Sequence, residues 1–232
     1  AEPAQAGERL VRQDAAWEST VTLFPDRPTW LEIDHGAIAN NVRRLVEIAG
    51  GRSLLISLKA DAYGHGALQV AHTALLNGAS WFGLATLSEG IALRKAGIDA
   101  PILVLGYTPA WQARDALRHG LTPAVFDLEV GQALSRAARV LGRPARIHVK
   151  VDTGMHRLGI AAACAAEFVA WLRTVPGVEV EGLFTHVAAA DDPSTEARTA
   201  VDAQLDRFAA LVADLAARGL RPPIVHAANT AL

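Results

Sequence analysis

Short apolar runs alternate with longer amphipathic stretches along most of this chain. From residue 54 onward the apolar runs fall at 54–58, 81–85, 102–105, 123–126, 146–151, 180–185 and 224–227. Each has the length and apolar density of a strand buried on both faces. Helical patterns lie between them and end near Gly78, Gly97, Gly120, Gly142, Pro176 and Gly219. Glycine suits the left-handed residue that closes a helix, and proline cannot continue one. Upstream, residues 29–33 read as a further short strand. Asp34 then caps a helix that carries Ile38, Val42, Leu45 and Val46 and is closed by Gly50-Gly51.

Strands alternating with helices predict an α/β fold of parallel βα units. Seven strands at fairly even spacing suggest a (β/α)8 TIM-type barrel over a doubly wound sheet. The barrel is one strand short. The seventh strand ends near Ala228 and the chain stops at Leu232. An open barrel leaves two edges unpaired, which is costly and prone to association. Either an N-terminal segment fills the gap, or the chain is part of something longer. Residues 1–28 are mixed and polar and close with Pro25-Asp26-Arg27-Pro28. They are expected to form an N-terminal extension, leaving 29–232 as the barrel.

Composition narrows the partners. Hydrophobic residues make up 51% of the 232, enough for a sizeable core, and the formal net charge is −2. With no basic stripe, nucleic acid is not expected as the main partner. Cys164 is the single cysteine, so no internal disulfide is possible. No apolar run has transmembrane length, and residues 1–6 do not read as a signal peptide. The cytoplasm is the default compartment, with no membrane association.

The stretch richest in chemistry is Ser57-Leu58-Lys59-Ala60-Asp61-Ala62-Tyr63-Gly64-His65-Gly66. Lys59 falls where the first strand gives way to a loop. A lysine at the mouth of an apolar scaffold loses solvation, which lowers its pKa. The neutral amine can then condense with an aldehyde to form a Schiff base. Tyr63 offers a hydroxyl, and the glycines let backbone approach a ligand closely. Lysine, hydroxyl and a Gly-rich loop leading into a helix suit a phosphorylated aldehyde such as pyridoxal phosphate. The plainer alternative is a solvated surface lysine, the usual state of that residue.

Barrel enzymes keep their chemistry at the C-terminal ends of the strands. The unusual polar residues cluster there. Lys150 to Gly159 follow the fifth strand, Thr185-His186 end the sixth, and His226 to Thr230 end the seventh. Arg157 could hold a carboxylate through two parallel hydrogen bonds, or pair with Asp152 at the surface. His186 could be a base, a metal ligand or a ring packed against a cofactor. Asn229 and Thr230 could donate to phosphate or merely cap a helix. The histidines lack a tight ligand pair, so no metal site is expected.

Taken together, these segments resemble the alanine racemases over residues 29–230. Lys59-Ala60-Asp61-Ala62-Tyr63-Gly64-His65-Gly66 is similar to their cofactor-lysine motif. Thr29 to Asp34, Lys150-Val151-Asp152-Thr153-Gly154-Met155-His156-Arg157-Leu158-Gly159, Phe184-Thr185-His186 and His226-Ala227-Ala228-Asn229-Thr230 resemble further motifs, the last with Thr where Ser is common. The resemblance implies racemisation of L- and D-alanine for cell-wall precursors. Lys59 would carry pyridoxal 5'-phosphate as a Schiff base and act as one of two bases. Tyr63 and Thr230 would bind the phosphate, with Asn229 beside them. Arg157 would contact the cofactor's phenolic oxygen and the substrate carboxylate. Lys150, often carbamylated in the family, would orient Arg157. His186 would lie against the pyridine ring, and His226 would support the site from behind. The family works as a homodimer with shared active sites. Its opposite base is a tyrosine of a C-terminal domain that this sequence does not contain, so the chain alone is expected to racemise poorly. Other barrel-type pyridoxal phosphate enzymes, namely a broad-specificity racemase or an amino-acid decarboxylase, are alternatives. So is a non-catalytic cofactor-binding barrel.

Overall fold

The computed structural model describes residues 30–232. The N-terminal extension and Thr29 lie outside the described residues. Residues 30–34 belong to one compact unit and His35–Leu232 to another.

Residues 30–33 form no strand, against expectation. The run has the alternation of a strand, but a strand is made by ladder bonds to a neighbour. Here Trp30 Nε1 donates instead to Glu32 Oε1, 2.8 Å away.

In the second unit α1 (His35–Ala49) starts directly after Asp34. The chain then runs β1 (Leu55–Ser57), a turn at Lys59–Gly64, α2 (Ala67–Leu76), β2 (Trp81–Leu84), α3 (Leu87–Lys95) and β3 (Ile102–Tyr107). A 3-10 turn at Ala110–Gln112 leads into α4 (Ala113–Arg118), β4 (Thr122–Val125) and α5 (Leu128–Leu141). Then come β5 (Ala145–Asp152), β6 (Ile160–Ala161), α6 (Ala162–Thr174), β7 (Val178–Thr185), α7 (Thr195–Ala217) and β8 (Ile224–His226). All seven runs from residue 54 onward are strands. The two-residue β6, which pairs with the end of β5, is too short to leave a pattern.

Every strand pair is parallel, in the order β1-β2-β3-β4-β5-β7-β8. That order never reverses, so the sheet lacks the switch point of a doubly wound fold. Among the described residues it is a TIM-type barrel left open between β8 and β1.

Side-chain alternation sorts the two faces. Ile147, Val149 and Val151 of β5 enter a core with Val130, Leu134, Val169 and Leu172 from α5 and α6. Ile56 and Leu58 enter a second core with Val42, Val70 and Ala74 from α1 and α2. The opposite face gathers Leu103, Ala124 and Phe184 with Leu55, Trp81 and Leu105, residues from five strands, and is the barrel interior.

One irregularity decides what β7 presents there. Ile147 pairs with Val180, but His148 pairs with Gly182, so Glu181 is an extra residue. A one-residue slip exchanges the faces of everything downstream. Val180 and Leu183 accordingly both sit in the helix-side core, while Phe184 turns inward. His186 follows two residues later, in phase with Phe184. Gly182 also makes room for His148, because a Cβ on it would stand 2.4 Å from the imidazole ring.

Candidate active site

Lys59 continues the interior face of β1, because Leu58 is buried on the helix side. The next four residues are left-handed: Ala60, Asp61, Ala62 and Tyr63 have φ between 51° and 57°. For non-glycine residues this costs roughly 1–2 kcal/mol each. Hydrogen bonds offset it. Ala62 N–H donates to Leu58 O at 2.8 Å, and Gly66 N–H to Asp61 O at 3.0 Å. Asp61 Oδ1 accepts from Ala67 N–H at 2.7 Å, at the start of α2. Gly64 and Gly66, at φ +86° and +87°, carry the chain out of the turn. The result brings Tyr63 back over the strand end. Its hydroxyl lies 3.2 Å from Ser57 Oγ, and Lys59 Nζ lies 5.6 Å from its ring centroid.

Lys150 projects from β5 into the interior, in phase with His148. It is 5% exposed, and its ammonium donates to Leu105 O at 3.0 Å. Burial, then the charges of Arg157 and Lys59, lower its pKa to about 8. His186 is half-buried. Burial, then Arg157, Lys150 and Lys59, lowers its pKa too. These mutual influences place four groups from the ends of β1, β5 and β7 within one field. Three are cations.

Asp152 does not pair with Arg157. Its Oδ1 accepts N–H bonds from Gly154, Met155 and His156 at 2.9, 3.0 and 3.1 Å. Its Oδ2 faces His156 Nδ1 at 3.3 Å. Burial acts to raise its pKa, but these donors and the His156 charge hold it below the usual carboxylate range. Arg157 forms no ion pair among the described residues, so its guanidinium is available to an anion.

Behind the mouth, the ends of β5 and β7 are bolted together. Thr185 Oγ1 donates to Val151 O at 2.9 Å, so the 2.8 Å bond between the hydroxyls is donated by Thr153. From α7, Arg207 donates to Thr153 O, and Gln204 Oε1 accepts from Ala188 N–H at 3.1 Å. His226 stacks on Phe184, with ring centroids 4.8 Å apart and planes 3° from parallel. Its Nε2 lies 3.0 Å from His148 Nδ1. Burial, then His148, lowers the His226 pKa to about 3.

The structure thus brings Lys59, Tyr63, Lys150, Arg157 and His186 to one end of the barrel and puts His226 beneath them. Asn229 and Thr230 follow β8 at the same end. Asn229 Oδ1 accepts from Ala231 N–H at 3.0 Å, closing a local turn with no helix after it among the described residues, and Thr230 is exposed. His148, Glu89 and the Thr153–Thr185 pair were not singled out from sequence. His148 was readable, since it precedes Lys150 by two in an alternating strand.

An amine beside a phenol, within a cluster of cations, is a donor set whose chemistry suits a carbonyl compound bearing anionic groups. The comparisons carry this further. Residues 33–232 match the family model described as alanine racemase, N-terminal domain, and the chain belongs to that family. An alanine racemase of Symbiobacterium thermophilum is 49% identical over 205 residues, which is 88% of this chain and 54% of that protein. One from Desulfovibrio desulfuricans is 42% identical over 207 residues, covering 89% and 55%. The alanine racemase of Clostridium difficile in complex with cycloserine superposes with a TM-score of 0.81 at 34% identity, over 89% of this chain and 56% of that one. That of Bacillus anthracis with bound L-Ala-P gives 0.78 at 35% identity, over 89% and 53%. The chain spans about half the length of the curated relatives it matches. Among the described residues no helix is long and apolar enough to cross a membrane.

Proposed function

We propose that this chain, over residues 29–232, is the cofactor-carrying barrel of a pyridoxal-phosphate-dependent racemase that interconverts L-alanine and D-alanine. The observation that carries the reading is the placement of Lys59 at the interior end of β1, 5.6 Å from the Tyr63 ring, in the same barrel mouth as the buried Lys150. The donor set fits the group: an amine for its aldehyde, a phenol beside that amine, and cations for its anionic oxygens.

Pyridoxal phosphate, when bound, supplies an electron sink for the charge left as an amino acid loses its Cα proton. The chain's residues do the rest. Lys59 would hold the cofactor through its amine and would move the substrate Cα proton on one face. Tyr63 and Thr230 hold the phosphate, with Asn229 shaping the turn between β8 and Thr230. Arg157 would hold the phenolic oxygen and the substrate carboxylate. His186, whose pKa is lowered by burial and the neighbouring cations, would lie against the pyridine ring. Lys150, whose pKa of about 8 leaves some amine free near neutral pH, takes up carbon dioxide as a carbamate. The new negative charge then orients Arg157. His226 and His148 brace the interior below.

Racemisation needs a base on each face of a planar centre. Lys59 serves one. The opposite base comes from the part of the relatives' length that this chain does not span, in a homodimer whose sites are shared. The product D-alanine feeds cell-wall precursors in the cytoplasm.

The test is incubation with pyridoxal phosphate, borohydride reduction and peptide mapping, alongside assay of D-alanine formed from L-alanine by the full-length form. A stable adduct on Lys59 with turnover is the expected result. An adduct on another lysine overturns the site, and labelling of Lys59 without turnover of any amino acid overturns the racemase.

A further inference from the structure

We propose that Glu89 is a positioning residue for Lys59, holding the left-handed turn in place through the Ala60 amide; this rests on the reading of Lys59 as the cofactor lysine.

Thr86-Leu87-Ser88-Glu89 forms a capping box at the start of α3. Such a box needs one bond from the glutamate, to the amide of the capping threonine. Glu89 makes three. Its Oε2 accepts from Thr86 and Ala85 N–H, each at 2.9 Å. Its Oε1 reaches across 29 positions of sequence to accept from Ala60 N–H at 2.6 Å, the shortest of the three. Ala60 is the first left-handed residue, where a first-turn amide otherwise lacks a partner. On the other side of Lys59, Leu58 N–H donates to Gly83 O at 2.8 Å. The lysine backbone is therefore pinned on both flanks to the β2–α3 segment. A run of four strained residues persists only where its surroundings over-determine it. Glu89 supplies that determination at the point of entry. Without it, the turn can relax toward the ordinary right-handed region, which moves Tyr63 away from Ser57 and redirects Lys59.

The chemistry of glutamine separates this role from capping. In Glu89→Gln the amide oxygen can still accept from Ala85 and Thr86. Its NH2 group must then face the Ala60 N–H, donor against donor. Capping is kept and the clamp is lost. Asp127→Ala removes a cap elsewhere, the bond from Val130 N–H to Asp127 Oδ1 at 2.9 Å, and serves as the control for plain loss of stability.

The experiment titrates the full chain with pyridoxal phosphate. It follows the visible band of the lysine-linked cofactor and the pH at which that band changes, with thermal melting in parallel. In Glu89→Gln, binding weakens roughly tenfold or more and the band's pH midpoint moves, while melting stays near that of the unaltered protein. In Asp127→Ala melting falls and neither cofactor readout moves. Equal affinity and an unchanged midpoint in Glu89→Gln overturn the inference. Failure of the unaltered protein to label Lys59 removes the cofactor reading, and the inference with it.

Discussion

His148 Nδ1 and His226 Nε2 face each other at 3.0 Å inside the barrel, and one proton serves both nitrogens. The pair is crowded by rings. Trp81 lies 5.5 Å from His148, and Phe184 is stacked on His226. Glu181 is the nearest anion, with its Oε2 3.8 Å from His148 Nε2.

This arrangement predicts acid sensitivity. The His226 pKa is about 3 in the fold against 6.5 for a free side chain. Below pH 6.5 the unfolded chain takes up a proton that the folded one refuses. Stability is therefore lost as pH falls from 6.5 toward 3. A displacement of one pKa unit corresponds to about 1.4 kcal/mol, so the total reaches several kcal/mol. Urea unfolding across this range should show the decline, and His226→Gln should flatten it. Parallel curves for the two proteins would refute the assignment.

Lys150 titrates on the other side of neutrality. Its pKa is about 8 in the fold against 10.5 in the unfolded chain. Between those values the unfolded chain binds more protons, so stability rises with pH across the window. Lys150→Met should remove that slope. Added bicarbonate should stabilise the unaltered protein near pH 8, with mass spectrometry locating the carbamate on Lys150. A modification found elsewhere would remove Lys150 from this role.

Gly182→Ala tests the close approach to His148. The added methyl carbon would meet the buried ring at 2.4 Å, so the strand or the imidazole must shift. A loss of about 1–3 kcal/mol is expected by urea unfolding. A neutral effect would mean that the ring sits elsewhere.

Lys59→Ala should abolish the borohydride-stable cofactor adduct while leaving the melting temperature nearly unchanged, since only the Lys59 side chain is removed. An adduct that survives would place the attachment on another amine.

Much of this was legible in the residues. The seven apolar runs became strands because a parallel sheet, covered on both faces, writes itself as continuous hydrophobic sequence. Lys59, Arg157 and His186 stood out because polar residues at strand ends break that pattern. Three features were hidden. The run at 30–33 had a strand's alternation without a strand's neighbour. The extra residue at Glu181, which turns Phe184 and His186 inward, depends on the register against β5 and leaves no mark in β7 itself. The left-handed turn contains two alanines, an aspartate and a tyrosine, none of which advertises positive φ. Its determinants lie partly at Glu89, far along the chain.

The gap between β8 and β1 also carries directional information. Both flanking strands point the same way and end at the same mouth, one at His226 and the other just before Lys59. A strand that pairs with both in the sense of its neighbours must enter from the opposite end. Its last residue then emerges between His226 and Lys59. A strand that seals the wall in this sense would deliver a side chain between those two residues, tying closure of the wall to the proposed chemistry.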